Sequence, residues 1–293
     1  MITKAPARFR PDVVAYYEET WLDFRVLWMT LGNPAFHFGY WDEATRRHGQ
    51  SLDNMNRVMA DIARVSPGDL VLDAGCGMGG AAFWLARNRG ARVQGITIVP
   101  SQAFRARRIA ASRRLEGRAS FSCQDFCRTA FEDETFDVVW ARESVCHADD
   151  KAAFLTEASR LLRPGGRLVI ADFARAPRAN TDDEERLLTS WLRGWAIPSL
   201  ATAEDLAGWA RDAALEEVVV RDVTTAMEPS LRRLHRLVKV LSPGASLLHR
   251  LGFRSEVQHA NVTGSAAMWV ALQRGLWSYA IVSARKAADR VVP

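Results

Sequence analysis

A chain of 293 residues with 48% hydrophobic and 25% charged residues, 19 Gly and 11 Pro has the composition of an ordinary soluble globular protein, with room for one large domain and an appendage. A net charge of +5 is mild; it would suit an anionic ligand or surface, and solvated faces account for it more simply. Cys76, Cys123, Cys127 and Cys146 show no spacing that makes a disulfide framework or a zinc site. No apolar signal core opens the chain and no segment approaches a membrane span, so a cytoplasmic protein with reduced thiols, no metal and no stable membrane insertion is expected.

In chain order, residues 12–31 read as an aromatic-rich helix that ends near Gly32-Asn33-Pro34. A second helix is expected over 51–64: Ser51 can cap it, and Leu52, Met55, Val58, Met59 and Ile62 recur at three and four. A strict alternation follows. Strands are predicted at 70–73, 92–98, 119–123, 136–141 and 167–173, separated by a Gly-rich turn with helix 79–89, by helix 101–115 and by helix 150–162. Arg163-Pro-Gly-Gly166 reads as a stop and turn. Strands spaced by helices at this pitch predict an α/β architecture, a mostly parallel seven-stranded sheet with helices on both faces. Residues 216–223 and 277–283 are late strands suited to antiparallel pairing at one edge. Residues 183–213 and 228–272 look helical, break the alternation, and are expected to cap the carboxyl edge of the sheet. The basic run 231–237 reads as a solvated helix face ahead of a contact with an anionic group. The organisation is therefore an N-terminal helical lid segment (1–65), a core (66–224), a helical cap insertion (225–272) and a final core strand (273–293). Ten tryptophans are many for this length. Trp21, Trp28 and Trp41 precede the Gly-rich turn, Trp191, Trp195 and Trp209 follow the alternating core, and such aromatics often line a pocket for a flat or lipophilic ligand.

In an open parallel sheet a ligand sits beyond the carboxyl ends of the strands. The turn Asp73-Ala-Gly75-Cys-Gly77-Met-Gly79-Gly80 follows the first strand and opens a helix, and its glycines let the backbone approach a ligand closely. A dinucleotide is the obvious competitor. Two features oppose it. An acid stands at the strand's end before the glycines, which suits a ligand with a cationic amino-acid end and opposes a pyrophosphate. The second strand ends Gly95-Ile-Thr-Ile-Val-Pro-Ser-Gln102, without the acid that would bind a ribose.

The run 71–80, the segment 90–102, Gln124-Asp-Phe126, Glu143-Ser-Val-Cys-His147 and Leu162-Arg-Pro-Gly-Gly-Arg-Leu168 together resemble class I methyltransferases of the tocopherol and sterol C-methyltransferase type, over roughly residues 36–175. The resemblance implies a Rossmann-like methyltransferase fold and S-adenosyl-L-methionine as cofactor, with S-adenosyl-L-homocysteine as product. It implies that Asp73 and Gly75, with Gly77 and Gly79, hold the methionine part and that Thr97 and Gln102 lie beside the ribose. Asp125 would meet the adenine amino group, with Phe126 or Ile98 against the ring. His37-Phe-Gly-Tyr40-Trp41-Asp42 is similar to a segment that folds over the cofactor in these families, and Tyr16-Tyr17 to a pair that starts their N-terminal helix.

On the acceptor side, an aromatic lid that excludes water suits methyl transfer from a sulfonium. Tyr16, Tyr17, His37, Tyr40, Trp41, Trp191 and Trp195 are the candidates, although packing between helices accounts equally well for Tyr16 and Trp41. Glu143 and His147 follow the fourth strand and should emerge beside the reacting methyl group, His147 as a general base oriented by a carboxylate and Glu143 in contact with cofactor or acceptor. Cys146 stands where similar enzymes carry a second acid, which argues against cyclopropanation. In-line transfer demands positioning above all, so no catalytic motif names the acceptor. The expectation is a biosynthetic enzyme for a small lipophilic metabolite: carbon methylation of an isoprenoid-like acceptor ahead of nitrogen or oxygen methylation of a specialised metabolite. A nucleic-acid methyltransferase is a distant alternative, since no basic face with interleaved aromatics is evident. A homo-oligomer is compatible with all of this.

Overall fold

Side chains of the central strands alternate between the two faces, both of them buried, and this fixes the sheet between two cores. In a computed structural model that describes residues 10–27 and 34–288, β1 (Leu70–Ala74), β2 (Arg92–Thr97), β3 (Ala119–Cys123), β4 (Phe136–Arg142) and β5 (Leu162–Arg175) pair in parallel. Val71, Val138, Trp140, Val169 and Ala171 face one core, and Leu72, Val139, Ala141, Leu168 and Ile170 face the other. Both faces being covered, these strands read as continuous apolar runs. The seven strands lie in the order β3-β2-β1-β4-β5-β7-β6, with β6 (Leu215–Asp222) and β7 (Trp277–Lys286). β7 is antiparallel to both β5 and β6, so the sheet is mixed. The residues between β6 and β7 form a helical hairpin that returns the chain at the end where it left, and an antiparallel neighbour needs no crossover.

One face is covered by α3 (His48–Ile62) and α4 (Gly80–Asn88) together with α5 (Pro100–Ser112), through Met55, Met59, Phe83, Leu85 and Ala106. The other face carries α6 (Lys151–Leu161) and α8 (Ala203–Asp212), through Phe154, Leu155, Leu206 and Ala210. The helical stretch predicted at 183–213 thus divides: α8 packs against α6 and β6, while α7 (Asp182–Gly194) joins α9 (Thr224–Arg250) and α10 (Glu256–Gln273) above the face that α3, α4 and α5 cover. α7 and α10 approach backbone to backbone, for a Cβ on Gly194 would lie 2.3 Å from the Ala260 carbonyl oxygen. The helix expected over 12–31 is two, α1 (Pro11–Glu19) and α2 (Trp21–Leu27), because the Thr20 hydroxyl turns back onto the Tyr16 carbonyl and ends the first. Residues 28–33, Trp28 included, lie outside the described residues. The Tyr16 hydroxyl donates to Asn261 at 3.0 Å, and Arg254 holds Asp23 with two bonds of 2.9 and 2.7 Å, so α1 and α2 are tied to the cap. Among the described residues no helix is long and apolar enough to cross a membrane.

Candidate active site

A cavity of about 270 Å³ opens at the carboxyl ends of the parallel strands, where the polypeptide leaves β1 and β4 in opposite directions. The turn Gly75–Met78 after β1 forms its floor. Thr97, Ile98 and Gln102 after β2 and Asp125 to Cys127 after β3 form one wall, and Arg142 to Ser144 with His147 after β4 the other. Val13, Tyr17 and Phe36 close it from the N-terminal side.

The floor requires glycine at its first position. Gly75 has φ +88°, and a Cβ there would come within 2.3 Å of the Ser144 Cβ. Gly75 and Cys76 both donate their N–H to the Ile96 carbonyl, at 3.0 and 2.8 Å, which curls the turn back over β2. Gly79 lies behind the turn rather than on the cavity wall: its Cβ would strike Phe121 at 2.7 Å. Asp73 also lies behind the floor, 3% exposed, and its Oδ2 has no hydrogen-bond partner. Burial raises its carboxyl to about 6, against the pull of Arg142 and of the Ala82 N–H. A buried carboxylate oxygen left without a protein donor is an acceptor waiting for one.

On the wall after β2, the Thr97 hydroxyl donates to Gln102 Oε1 at 2.8 Å, and Thr97 Oγ1 accepts from the Val99 N–H at 3.2 Å, so the turn into α5 is held by its own side chains. Asp125 accepts the Cys127 N–H on Oδ1 at 2.8 Å in an Asx turn that leaves the carboxylate on the cavity wall. Phe126 meets Phe154 edge to face, with ring centres 5.3 Å apart.

Glu143 occupies left-handed backbone at φ +48°, a strained setting for a non-glycine residue that turns its side chain into the site. Its Oε1 accepts the Phe38 N–H at 2.8 Å and the Tyr279 hydroxyl at 2.7 Å. Burial raises the carboxyl to about 8, even though Tyr279, Phe38 and Arg142 all favour its ionised form. His147 is 5.6 Å from Tyr17, ring centre to ring centre, and among the described residues no carboxylate is bound to its imidazole. Its Nδ1 lies 3.2 Å from the Ala196 carbonyl, which can only accept, so Nδ1 carries the proton and Nε2 accepts from the Tyr17 hydroxyl at 3.1 Å. Burial lowers the ring to about 4, and the imidazole is neutral.

The structure thus gathers Gly75, Gly77, Thr97, Ile98, Gln102, Asp125, Phe126, Glu143, His147 and Tyr17 around one cavity. The other aromatic lid candidates lie elsewhere. Tyr16 is buried under α10, and His37 is 1% exposed with Nδ1 on the Phe38 carbonyl. Tyr40 and Trp41 strap the segment across α3 and α9: their N–H groups bind the Ser51 and Ala226 carbonyls, and Trp41 Nε1 donates to Ser230. Trp191 and Trp195 belong to an aromatic core with Phe173 and Trp277, and Trp195 Nε1 donates to Ser265 at 3.1 Å. Several site residues carried no local signal. Arg142 faces Asp73 and Glu143, Tyr279 reaches Glu143 from β7, and Phe36 closes the cavity. Arg10 donates to the His147 carbonyl at 3.0 Å and to Asp149 at 2.8 Å.

Comparison with known proteins agrees with this architecture. The family profile described as "Methyltransferase domain" matches residues 72–170. The chain is 32% identical to 27-O-demethylrifamycin SV methyltransferase of Amycolatopsis mediterranei (strain S699), over 68% of this chain and 73% of that one. It is 33% identical to 2-methyl-6-phytyl-1,4-hydroquinone methyltransferase of Synechocystis sp., over 73% of this chain and 68% of that one. Among solved structures it is similar to the [4+2]-cyclase SpnF, with a TM-score of 0.78 and 25% identity over 94% of this chain and 95% of that one.

Proposed function

This chain belongs to the class I S-adenosylmethionine-dependent methyltransferases, and from that premise we propose that it methylates a hydroxyl group on a small lipophilic metabolite, with His147 as the base. The observation that carries this is the neutral imidazole at the cavity wall, whose Nε2 lone pair meets a hydroxyl, that of Tyr17, at 3.1 Å. An acceptor hydroxyl in place of the Tyr17 hydroxyl would pass its proton to Nε2, and the Ala196 carbonyl on Nδ1 offsets part of the burial that disfavours the imidazolium.

When bound, S-adenosylmethionine supplies an electrophilic methyl group on a sulfonium and leaves as S-adenosylhomocysteine. The residues fit it. Asp73, with a buried oxygen lacking a protein donor, suits the ammonium of its methionine end behind the Gly75–Gly77 floor. Gln102 and Asp125 offer polar atoms on the opposite wall for ribose and adenine, with Ile98 and Phe126 against the ring. Glu143, protonated near neutral pH, adds no negative charge beside the acceptor and holds the Phe38 backbone over the site.

Val13, Phe36 and Met78 add an apolar part to a lining that also carries Arg10, Asp149 and Asp150, and this part supports a lipophilic acceptor, as do the relatives named for a rifamycin and for a phytyl hydroquinone. Trp191 and Trp195 lie in the core, the aromatics on the cavity wall among the described residues are Tyr17, Phe36 and Phe126, and the His147–Tyr17 contact is what sets oxygen ahead of carbon. The Synechocystis relative favours a second reading, methylation at a ring carbon of a prenylated hydroquinone, because a deprotonated phenol is nucleophilic at both positions. Mass spectrometry of a panel of hydroxylated macrocycles and prenylated phenols tests the proposal: products should gain one CH2 unit, with fragmentation locating it on oxygen. Methylation confined to amines or to olefins would refute it.

A further inference from the structure

The second half of α9 and the turn after it expose an apolar face that the fold leaves bare. Val240, Leu241, Leu247, Leu248, Leu251 and Phe253 are exposed by 77, 46, 57, 45, 60 and 77%. Helical spacing of three, four and seven sets the five aliphatic residues on one side of the helix, and Phe253 extends the patch around its end. The inward side of the same helix is spent elsewhere, on Met227, Leu231, Leu234 and Val238. A monomer rarely exposes so contiguous a patch without a use for it.

The charges say what covers it. Residues 229–255 contain no Asp or Glu, while Arg236, Lys239 and Arg250 are exposed along the flank of the apolar stripe. A bare aliphatic stripe whose flank carries Arg236, Lys239 and Arg250, with acids only at the two ends of the stretch (Glu228 against Arg232, Glu256 against His249), is complementary to an anionic lipid surface: the side chains enter the headgroup boundary and the cations meet phosphates. A second protein surface of mixed charge would need acids along the flank to answer its own cations, and the nearest, Glu256, lies past the tip against His249.

We infer that the α9–α10 tip seats the enzyme peripherally on an anionic bilayer. The tip is rigidly joined to the wall of the cavity: Arg254 holds Asp23 of α2, while Ser255 and Gln258 bond to Glu19 of α1. α1 also carries Val13 and Tyr17. The seated face therefore lies beside the N-terminal roof of the site. Delivery of the acceptor from the lipid phase rests on the lipophilic acceptor of the previous subsection, whereas the seating does not.

Flotation with vesicles separates the two, because it needs neither acceptor nor cofactor. The full chain should float with phosphatidylcholine vesicles containing phosphatidylglycerol and remain unbound with phosphatidylcholine alone. Leu247→Ser/Leu251→Ser/Phe253→Ser should weaken binding about tenfold or more, and Arg236→Gln/Arg250→Gln should do the same with a loss of salt sensitivity. These side chains are exposed, so both variants should keep the wild-type melting curve and turnover of a soluble acceptor. Wild-type protein that ignores anionic vesicles, or binds neutral ones equally well, would overturn the inference. So would a lipid-free dimer, seen by light scattering, that the triple serine variant dissolves, because a second copy would then own this face.

Discussion

Glu143 should cost the cofactor-free protein stability as pH rises above neutral, and Glu143→Gln should remove that cost. Burial holds the carboxyl at about 8 against an ordinary value of 4.5, so between these pH values the folded chain keeps a proton that the unfolded chain has lost. Stability then falls with rising pH by about 1.4 kcal/mol per unit. His147 acts with the opposite sign: held at about 4 instead of 6.5, it contributes stability that grows as pH rises across that interval and is constant above it. Asp73, raised from 3.8 to about 6, costs stability only as pH rises between those values. The window from 6.5 to about 8 therefore isolates Glu143, and across it the loss amounts to about 2 kcal/mol. Glutamine keeps an oxygen for the Phe38 N–H and the Tyr279 hydroxyl but cannot ionise. Urea unfolding followed by tryptophan fluorescence at the two ends of the window gives the comparison, and subtracting variant from wild type cancels the titrating groups that Glu143 does not touch. Equal pH dependence in the two proteins would show that the proton does not sit on Glu143.

Three further substitutions probe the site and its frame. Gly75→Ala forces a Cβ to 2.3 Å from Ser144 at a φ of +88°, so calorimetry should find S-adenosylhomocysteine affinity lowered about a hundredfold, with the protein itself less stable. His147→Ala should lower kcat by about two to four orders of magnitude, while S-adenosylhomocysteine affinity stays within a few-fold; wild-type turnover would reduce His147 to a packing role. Asp23→Ala leaves the Arg254 guanidinium, 15% exposed, without its bidentate partner, and thermal unfolding should register a loss of about 3 kcal/mol.

The strands were legible because both faces of the sheet are buried, which writes continuous apolar runs into β1, β4 and β5. The Gly-rich floor was legible because its conformational demand is local: only glycine tolerates the approach of Ser144 at position 75. What failed to show was whatever depends on distant partners. Trp191 and Trp195 read as pocket aromatics, but the close approach of α7 to α10 buries them against Phe173 and Trp277, and nothing near residue 191 announces residue 264 or 277. Arg142 sits at the end of an apolar strand with no mark of its role, and Tyr279 lies more than a hundred residues from the Glu143 it holds. The break at Thr20 depends on one hydroxyl choosing a backbone carbonyl, too small a preference to interrupt a good helical pattern.

The position of β7 also bears on the order in which the nascent chain can mature. Residues 277–286 slot between β5 and β6, so β5 lacks its outer neighbour and β6 its inner one until translation has passed residue 286. A ribosome-bound chain that stops short of β7 holds the four parallel pairings and the floor turn. It also presents two open strand edges, which are sites for chaperone capture or mispairing. Because Tyr279 arrives on that same strand, Glu143 gains its hydroxyl donor only at the moment the sheet closes. Completion of the site and removal of the aggregation hazard are one event, and one strand sets the time of both.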